Sequence, residues 1–119
     1  AEKPSIAGAL ANALGGHAGV RRRSGVAPRS PVYEYSGNFL DEPAVFKVTA
    51  THGHIYSFDF GAEYNDWSKH EPGELFGAPV IRTFDPSGQM PEHIKEEAAG
   101  CHALVLWLDC DREGENICF

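Results

Sequence analysis

Long apolar runs are missing from this chain of 119 residues; the longest uninterrupted one, Ala103 to Leu108, spans six. A bilayer-crossing helix needs about 20 apolar residues, so no such helix can be built from it. No basic region leads into an apolar one near the start, so nothing reads as a secretory signal. Cysteine is scarce as well: three residues, at 101, 110 and 118, odd in number and without a CxxC pair. That excludes a paired disulfide framework and the usual zinc or redox spacing, and the three read as free thiols of a reducing compartment. Positive charge is in deficit, with ten Lys plus Arg against seventeen Asp plus Glu and a net charge of -7. Phosphate affinity comes from clustered Lys and Arg, so the balance argues against a stand-alone nucleic-acid binder.

What is present suffices for one folded domain. Hydrophobic residues make up 42% of the chain and include seven Phe, four Tyr and two Trp, enough to form a core and to argue against wholesale disorder. Charge is unevenly placed: four of the ten basic residues lie between Arg21 and Arg29, whereas Asp109, Asp111, Glu113 and Glu115 crowd the last eleven residues around Arg112. The chain begins at Ala1 without Met and stops at Phe119 just as an acidic, helix-like segment starts, so both ends read as cut.

Ile6, Ala7, Leu10, Ala11 and Leu14 repeat at helical spacing, with Pro4 suited to a first turn and Gly15-Gly16 as a stop. Residues 16–31 turn to Gly, Arg, Ser and Pro without a period, which predicts a flexible basic loop. Val32 to Phe39 and Ala44 to Thr51 are rich in aromatic and β-branched residues and predict a hairpin; His54 to Phe60 predicts a third short strand or the exit of the second. Residues 61–91 carry no clean period and read as an irregular segment pinned by Tyr64, Trp67, Leu75 and Phe76 packing into the core. Pro91 to Ala99 predicts a short helix ended by Gly100, and Ala103 to Leu108 predicts a strand buried on both faces of a parallel sheet.

The chemistry-bearing residues cluster at four places. Asp109 and Asp111, two apart at the end of the predicted strand, share a side, and Glu113 can turn back toward them as a helix begins. Two full charges about 5 Å apart repel by roughly 3 kcal/mol at an effective dielectric near 20, so such a cluster protonates a member, splays apart or binds a cation. Oxygen-only ligands suit Mg²⁺; the competing reading is a strand end followed by acids that favour a helix N-terminus. Glu2 and Lys3 stand at the mouth of the first helix, where a carboxylate could donate a proton while the cation holds a phosphate oxygen, or where both are merely exposed first-turn charges. His52-Gly53-His54 reads as a turn with His54 bonded to backbone in preference to a metal site, since no third ligand stands at zinc spacing. Arg21, Arg22 and Arg23 read equally as phosphate contacts and as a solvated loop.

AEKPS at residues 1–5, THGH at 51–54, YNDW and ELF within 64–76 and WLDCDREGENICF at 107–119 resemble, in order and spacing, the Toprim domain of the type IA DNA topoisomerases. The last stretch with AEKPS is similar to the eukaryotic topoisomerase III branch, and YNDW with PGELF and ENICF to its beta form. The resemblance covers almost the whole chain. It implies an α/β Toprim fold, Rossmann-like, with a mostly parallel sheet flanked by helices, a hairpin excursion, and a first strand missing from the chain. Glu2 would close that strand and Asp109, Asp111 and Glu113 a neighbouring one, bringing four carboxylates together.

The resemblance further implies single-strand cleavage by a Tyr of another domain, a 5′-phosphotyrosine intermediate, strand passage and resealing. Glu2 would protonate and later deprotonate the 3′-oxygen, Lys3 would stabilise the phosphoryl transition state, and Asp109, Asp111 and Glu113 would hold Mg²⁺, needed for resealing more than for cleavage. Arg112 and His54 would support the site. Tyr33, Tyr35, Tyr56 and Tyr64 lie outside the family's nucleophile motif, so the chain alone is expected to cleave nothing, and the lost strand predicts instability or aggregation. Implied partners are single-stranded DNA, with RNA for a beta-like form, the domains carrying the Tyr, and an OB-fold or Tudor-containing accessory protein. The implied location is the nucleus, with the cytoplasm added for a beta-like form. A Toprim nuclease or primase shares the Glu and DxD plan, but DREGEN and THGH disfavour it; a non-catalytic interaction module has only the missing Tyr and the acidic charge in its support.

Overall fold

The structure, a computed structural model, describes residues 1–16, 19–84 and 89–119. Helix α1 (Pro4–Gly15) is followed by strands β1 (Arg21–Arg23), β2 (Val32–Phe39) and β3 (Glu42–Val48), which form an antiparallel sheet in that order. A second, two-stranded antiparallel sheet pairs β4 (Tyr56–Phe60) with β5 (Val80–Phe84), and helices α2 (Met90–Ala98) and α3 (Arg112–Cys118) complete the chain. Two short 3-10 turns, Ala62–Asn65 and Pro72–Gly77, lie between β4 and β5.

The predicted hairpin forms around a two-residue turn, Leu40-Asp41, both in the left-handed region at φ 51° and 67°. That is the backbone handedness that matches the twist of the flanking strands. Pro43 sits in β3, an edge strand, where a missing backbone donor is tolerated. Alternation along β2 divides its side chains between two layers. Tyr33 and Tyr35 face α1, whose Gly8 and Gly15 leave room for their rings, and Tyr35 stacks on Phe46 with centroids 4.8 Å apart. Ala7 and Ala11, one helical turn apart, are the fully buried contacts of α1.

The opposite face of the sheet carries charge and receives α2. Arg23 bonds Glu34 through Nε at 2.7 Å and grips the Glu97 carboxylate with both terminal nitrogens, while Lys47 Nζ donates to the Glu97 carbonyl at 3.2 Å. The Arg23 guanidinium holds the Glu97 carboxyl below its ordinary range, against the opposing effect of burial. This network explains why the basic loop expected over 16–31 contains a strand: β1 pairs with β2, and the Arg23 guanidinium is satisfied by Glu34 on the sheet and Glu97 on α2. Residues 17 and 18 of that loop lie outside the described residues.

Three expectations are not met among the described residues. Among the described residues both sheets are antiparallel, and Ala103 to Leu108 is neither a strand nor buried: Leu104 is 74% exposed, and Val105, Leu106 and Trp107 are also open to solvent. A strand of this composition is stable only between neighbours that pair its backbone and cover both faces, and no described segment lies alongside it. The aromatic pinning of 61–91 is likewise not seen. Trp67 and Phe76 are exposed, Phe76 almost completely; Leu75 is half-buried, Tyr64 is engaged against Phe60 and His70, and β5 lies within the stretch read as irregular. Residues 85–88 of that stretch lie outside the described residues. The radius of gyration, 18.5 Å, exceeds the value near 13.5 Å expected of a compact chain this long, because the β4–β5 ribbon and the 103–111 segment stand away from the α1–sheet–α2 body.

Candidate active site

Residues 1 and 2 run beside the end of the hairpin. Ala1 N donates to Thr49 O at 2.8 Å, Thr51 N to Ala1 O at 2.9 Å and His52 N to Glu2 O at 3.0 Å. One residue bonding to both neighbours of its partner is the pattern of strands running the same way. Glu2 is therefore held by backbone, and it is buried. Lys3 follows as the N-cap of α1 in extended conformation, Pro4 takes the first turn, and Lys3 Nζ lies 3.5 Å from Glu2 Oε1. A buried carboxylate beside an exposed ammonium, at the positive end of a twelve-residue helix, is chemically suited to an anion that must gain or lose a proton. Thr51 Oγ1, on the neighbouring rung, is buried without a partner among the described residues.

The chain then turns through His52 and Gly53, both at positive φ (60° and 99°), and delivers His54. The expected backbone bond of His54 is not what forms. Its Nε2 lies 3.2 Å from Glu113 Oε1, so the THGH turn touches the Glu2 rung at one end and the acidic helix at the other.

Helix α3 begins at Asp111, whose Oδ1 accepts from Gly114 N at 2.8 Å, an N-cap bond. Gly114 is required for a second reason: a Cβ there would stand 3.1 Å from the carbonyl carbon of Asp109, so only glycine lets the Asp109 backbone fold over the helix mouth. Asp109 and Asp111 line an open cavity of about 520 Å³ together with Arg112 and Glu115. Glu113 does not line it. Among the described residues no three His, Cys, Asp or Glu side chains stand close enough to hold a metal ion, and the His52–His54 pair gains no third ligand. The expected convergence of Glu2, Asp109, Asp111 and Glu113 is thus not seen among the described residues, although Asp109 and Asp111 line one cavity. Asp111 spends one oxygen on its cap, Glu113 is drawn to His54, and the approach to the site, residues 103–108, lacks the pairing that would aim Asp109. The donor set nonetheless fits Mg²⁺, which is commonly bound by one or two carboxylates with waters and a substrate phosphate. The three cysteines are free, as expected.

A family model described as the Toprim domain matches residues 1–119. The chain belongs to the Toprim family. The Toprim domain is 48% identical over its full length to DNA topoisomerase 3-beta of Oryza sativa subsp. japonica and 42% identical to human DNA topoisomerase 3-beta-1, covering 13% and 14% of those proteins. It is 33% identical to human DNA topoisomerase 3-alpha, again over all of the chain and 12% of the relative. The Toprim domain thus spans about one-seventh of the length of these relatives. Its similarity is greater to the beta proteins than to the alpha one, in keeping with the resemblance carried by YNDW, PGELF and ENICF.

Sequence patterns missed the support beneath the Glu2 rung. Thr49, His93 and Glu97 belong to no motif, Arg23 was singled out only within the Arg21–Arg23 cluster, and the four meet only through the fold. The single available signal was the spacing of Met90, His93 and Glu97, all buried on one face of α2.

Proposed function

We propose that this Toprim domain is the acid–base and metal-binding part of a type IA DNA topoisomerase, acting on single-stranded DNA, and on RNA if beta-like, that another domain's Tyr cleaves through a 5′-phosphotyrosine. The observation that supports it best is the THGH turn, which ties the backbone of Glu2 to Glu113 at the head of the DREGEN helix. The Glu2 carboxyl gives its proton to the departing 3′-oxygen on cleavage and takes it back on resealing. Lys3, 3.5 Å away, meets the charge that develops on the phosphoryl oxygens. Asp109, Asp111 and Glu113 form the Mg²⁺ ligand set, with Asp111 offering the oxygen not used in its cap. A cation held by these residues would supply positive charge opposite the phosphate during resealing. Within this reading the mostly parallel Toprim sheet is completed by a strand laid beside 103–108, the domain alone cleaves nothing, and the intact protein works in the nucleus, and in the cytoplasm if beta-like, with an OB-fold or Tudor-containing accessory protein.

The test uses the intact protein carrying this domain and a single-stranded oligonucleotide. Glu2→Gln should abolish cleavage at neutral pH, whereas Asp109→Asn/Asp111→Asn should leave cleavage and lose Mg²⁺-dependent resealing. Normal cleavage by Glu2→Gln refutes the acid–base assignment, and unchanged Mg²⁺ dependence in the double variant refutes the metal assignment.

A further inference from the structure

His93 has no part in the chemistry above, yet among the described residues it is the largest fully buried side chain, with 0% exposure. Both of its ring nitrogens are engaged. Nε2 lies 2.8 Å from Thr49 Oγ1, and Nδ1 lies 3.5 Å from Ala27 N. Thr49 Oγ1 also lies 3.1 Å from the Pro31 carbonyl, an acceptor only, so the single hydroxyl proton is given to Pro31. The hydroxyl must then accept from His93 Nε2–H. Nδ1 is left unprotonated to accept from the Ala27 amide, and only the neutral Nε2–H tautomer satisfies all three bonds. Burial favours the same state by pushing the imidazole below its ordinary value. Gly25 completes the enclosure: a Cβ there would stand 2.6 Å from His93 Nδ1.

The residue held at the end of this chain of bonds is the one whose carbonyl receives Ala1 N. Thr49 has its side chain fixed by α2 and the 27–31 loop, and its backbone fixes the rung on which Glu2 follows. We propose that His93 is a positioning residue for Glu2 and Lys3, acting from α2 through the hydroxyl of Thr49 on the backbone ladder of residues 1–2 and 49–52. The assignment of chemistry to Glu2 and Lys3 rests on the function proposed above; the ladder itself does not. With its hydroxyl held by two directed bonds, to Pro31 O and from a His93 fixed in one tautomer, Thr49 presents its carbonyl at a single angle. Loss of the imidazole frees that hydroxyl to rotate and the strand end to shift, and a displacement of about 1 Å at a reacting group costs on the order of a hundredfold in rate.

Amide hydrogen exchange in the intact protein tests the ladder directly, and oligonucleotide cleavage tests its consequence. In Thr49→Val and in His93→Phe, exchange at Thr51 and His52 should rise about tenfold while α1 keeps its protection. kcat for cleavage should fall with KM unchanged, and Thr49→Val/His93→Phe should be no worse than either single change. His93→Gln, which retains a donor near Nε2, should recover part of both. Unchanged exchange at Thr51 and His52 in Thr49→Val overturns the proposal, as does an equal rise throughout the domain, the mark of general destabilisation. If His93→Phe does not fold, Thr49→Val and His93→Gln decide alone. If the ladder loosens as expected but Glu2→Gln cleaves normally, the positioning stands and the chemistry assigned to Glu2 falls.

Discussion

His54 Nε2 and Glu113 Oε1 stand 3.2 Å apart, joining a turn that follows the hairpin to a helix almost sixty residues further along the chain. Both side chains are about half exposed, so the contact adds little to stability, and its value is directional. It selects where Glu113 points before any cation or phosphate arrives. Replacing His54 by Ala should therefore leave thermal unfolding nearly unchanged while shifting the Mg²⁺ concentration needed for half-maximal resealing. Partners that orient a ligand typically matter by about 10-fold or more. A Mg²⁺ titration of resealing in His54→Ala checks it, and an unshifted midpoint would show that Glu113 is aimed without His54.

Asp111 has two duties that substitution can separate. As N-cap it satisfies Gly114 N, a bond worth about 1 kcal/mol, and as a carboxylate it belongs to the proposed Mg²⁺ set. Asn caps a helix as well as Asp but carries no charge. Asp111→Asn should hold stability and lose Mg²⁺-dependent resealing; Asp111→Ala should lose both. Paired urea unfolding and resealing assays make the comparison, and equal loss of stability in the two variants would mean that charge, not the cap, is what stabilises α3.

Acid should weaken the α2 dock in two steps. Burial lowers the folded-state value of His93, so the folded form resists a proton that the unfolded chain accepts. The stability lost starts as pH falls below the ordinary value of 6.5 and accumulates down to the folded value. Glu97 is lowered by Arg23, so its contribution is complete above 4.5 and is lost as pH falls through the folded value. Unfolding followed against pH should show the upper step vanish in His93→Gln and the lower one vanish in Glu97→Gln. A profile in His93→Gln that still falls just below 6.5 would place the first step on another group.

Local order was legible where local rules suffice. The apolar spacing of residues 6 to 14 with Pro4 announces α1, the β-branched runs announce the hairpin, and Asp111 before REGEN announces α3. What stayed hidden depends on partners distant in sequence. No pattern joins Arg23 to Glu97, or His93 to Thr49, because each pair meets only after the sheet and α2 have docked. The aromatics of 61–91 look like core residues by composition, yet burial requires something to pack against, and the ribbon they flank leaves Phe58, Val80 and Ile81 exposed. His54 and Glu113 were each singled out, but their mutual contact required the turn at Gly53.

Exposed Leu104, Val105, Leu106 and Trp107 carry the last consequence. A run of this kind, with unpaired backbone, is a template for pairing with another chain. Every methylene left in water forgoes about 0.8 kcal/mol of burial, so association is driven both by the apolar area and by the unmet hydrogen bonds. The 119-residue chain on its own should self-associate and bind a hydrophobic dye, and Leu104→Lys/Leu106→Lys should reduce both without touching α1 or the hairpin. Sedimentation velocity over a range of concentrations measures the first effect and dye fluorescence the second. A monomer with reversible, cooperative melting at neutral pH would mean that residues 103–108 find cover within the chain itself. In that case the placement of Asp109 would be set by the chain alone, and Mg²⁺ binding should then survive in the isolated domain with the affinity of the intact protein.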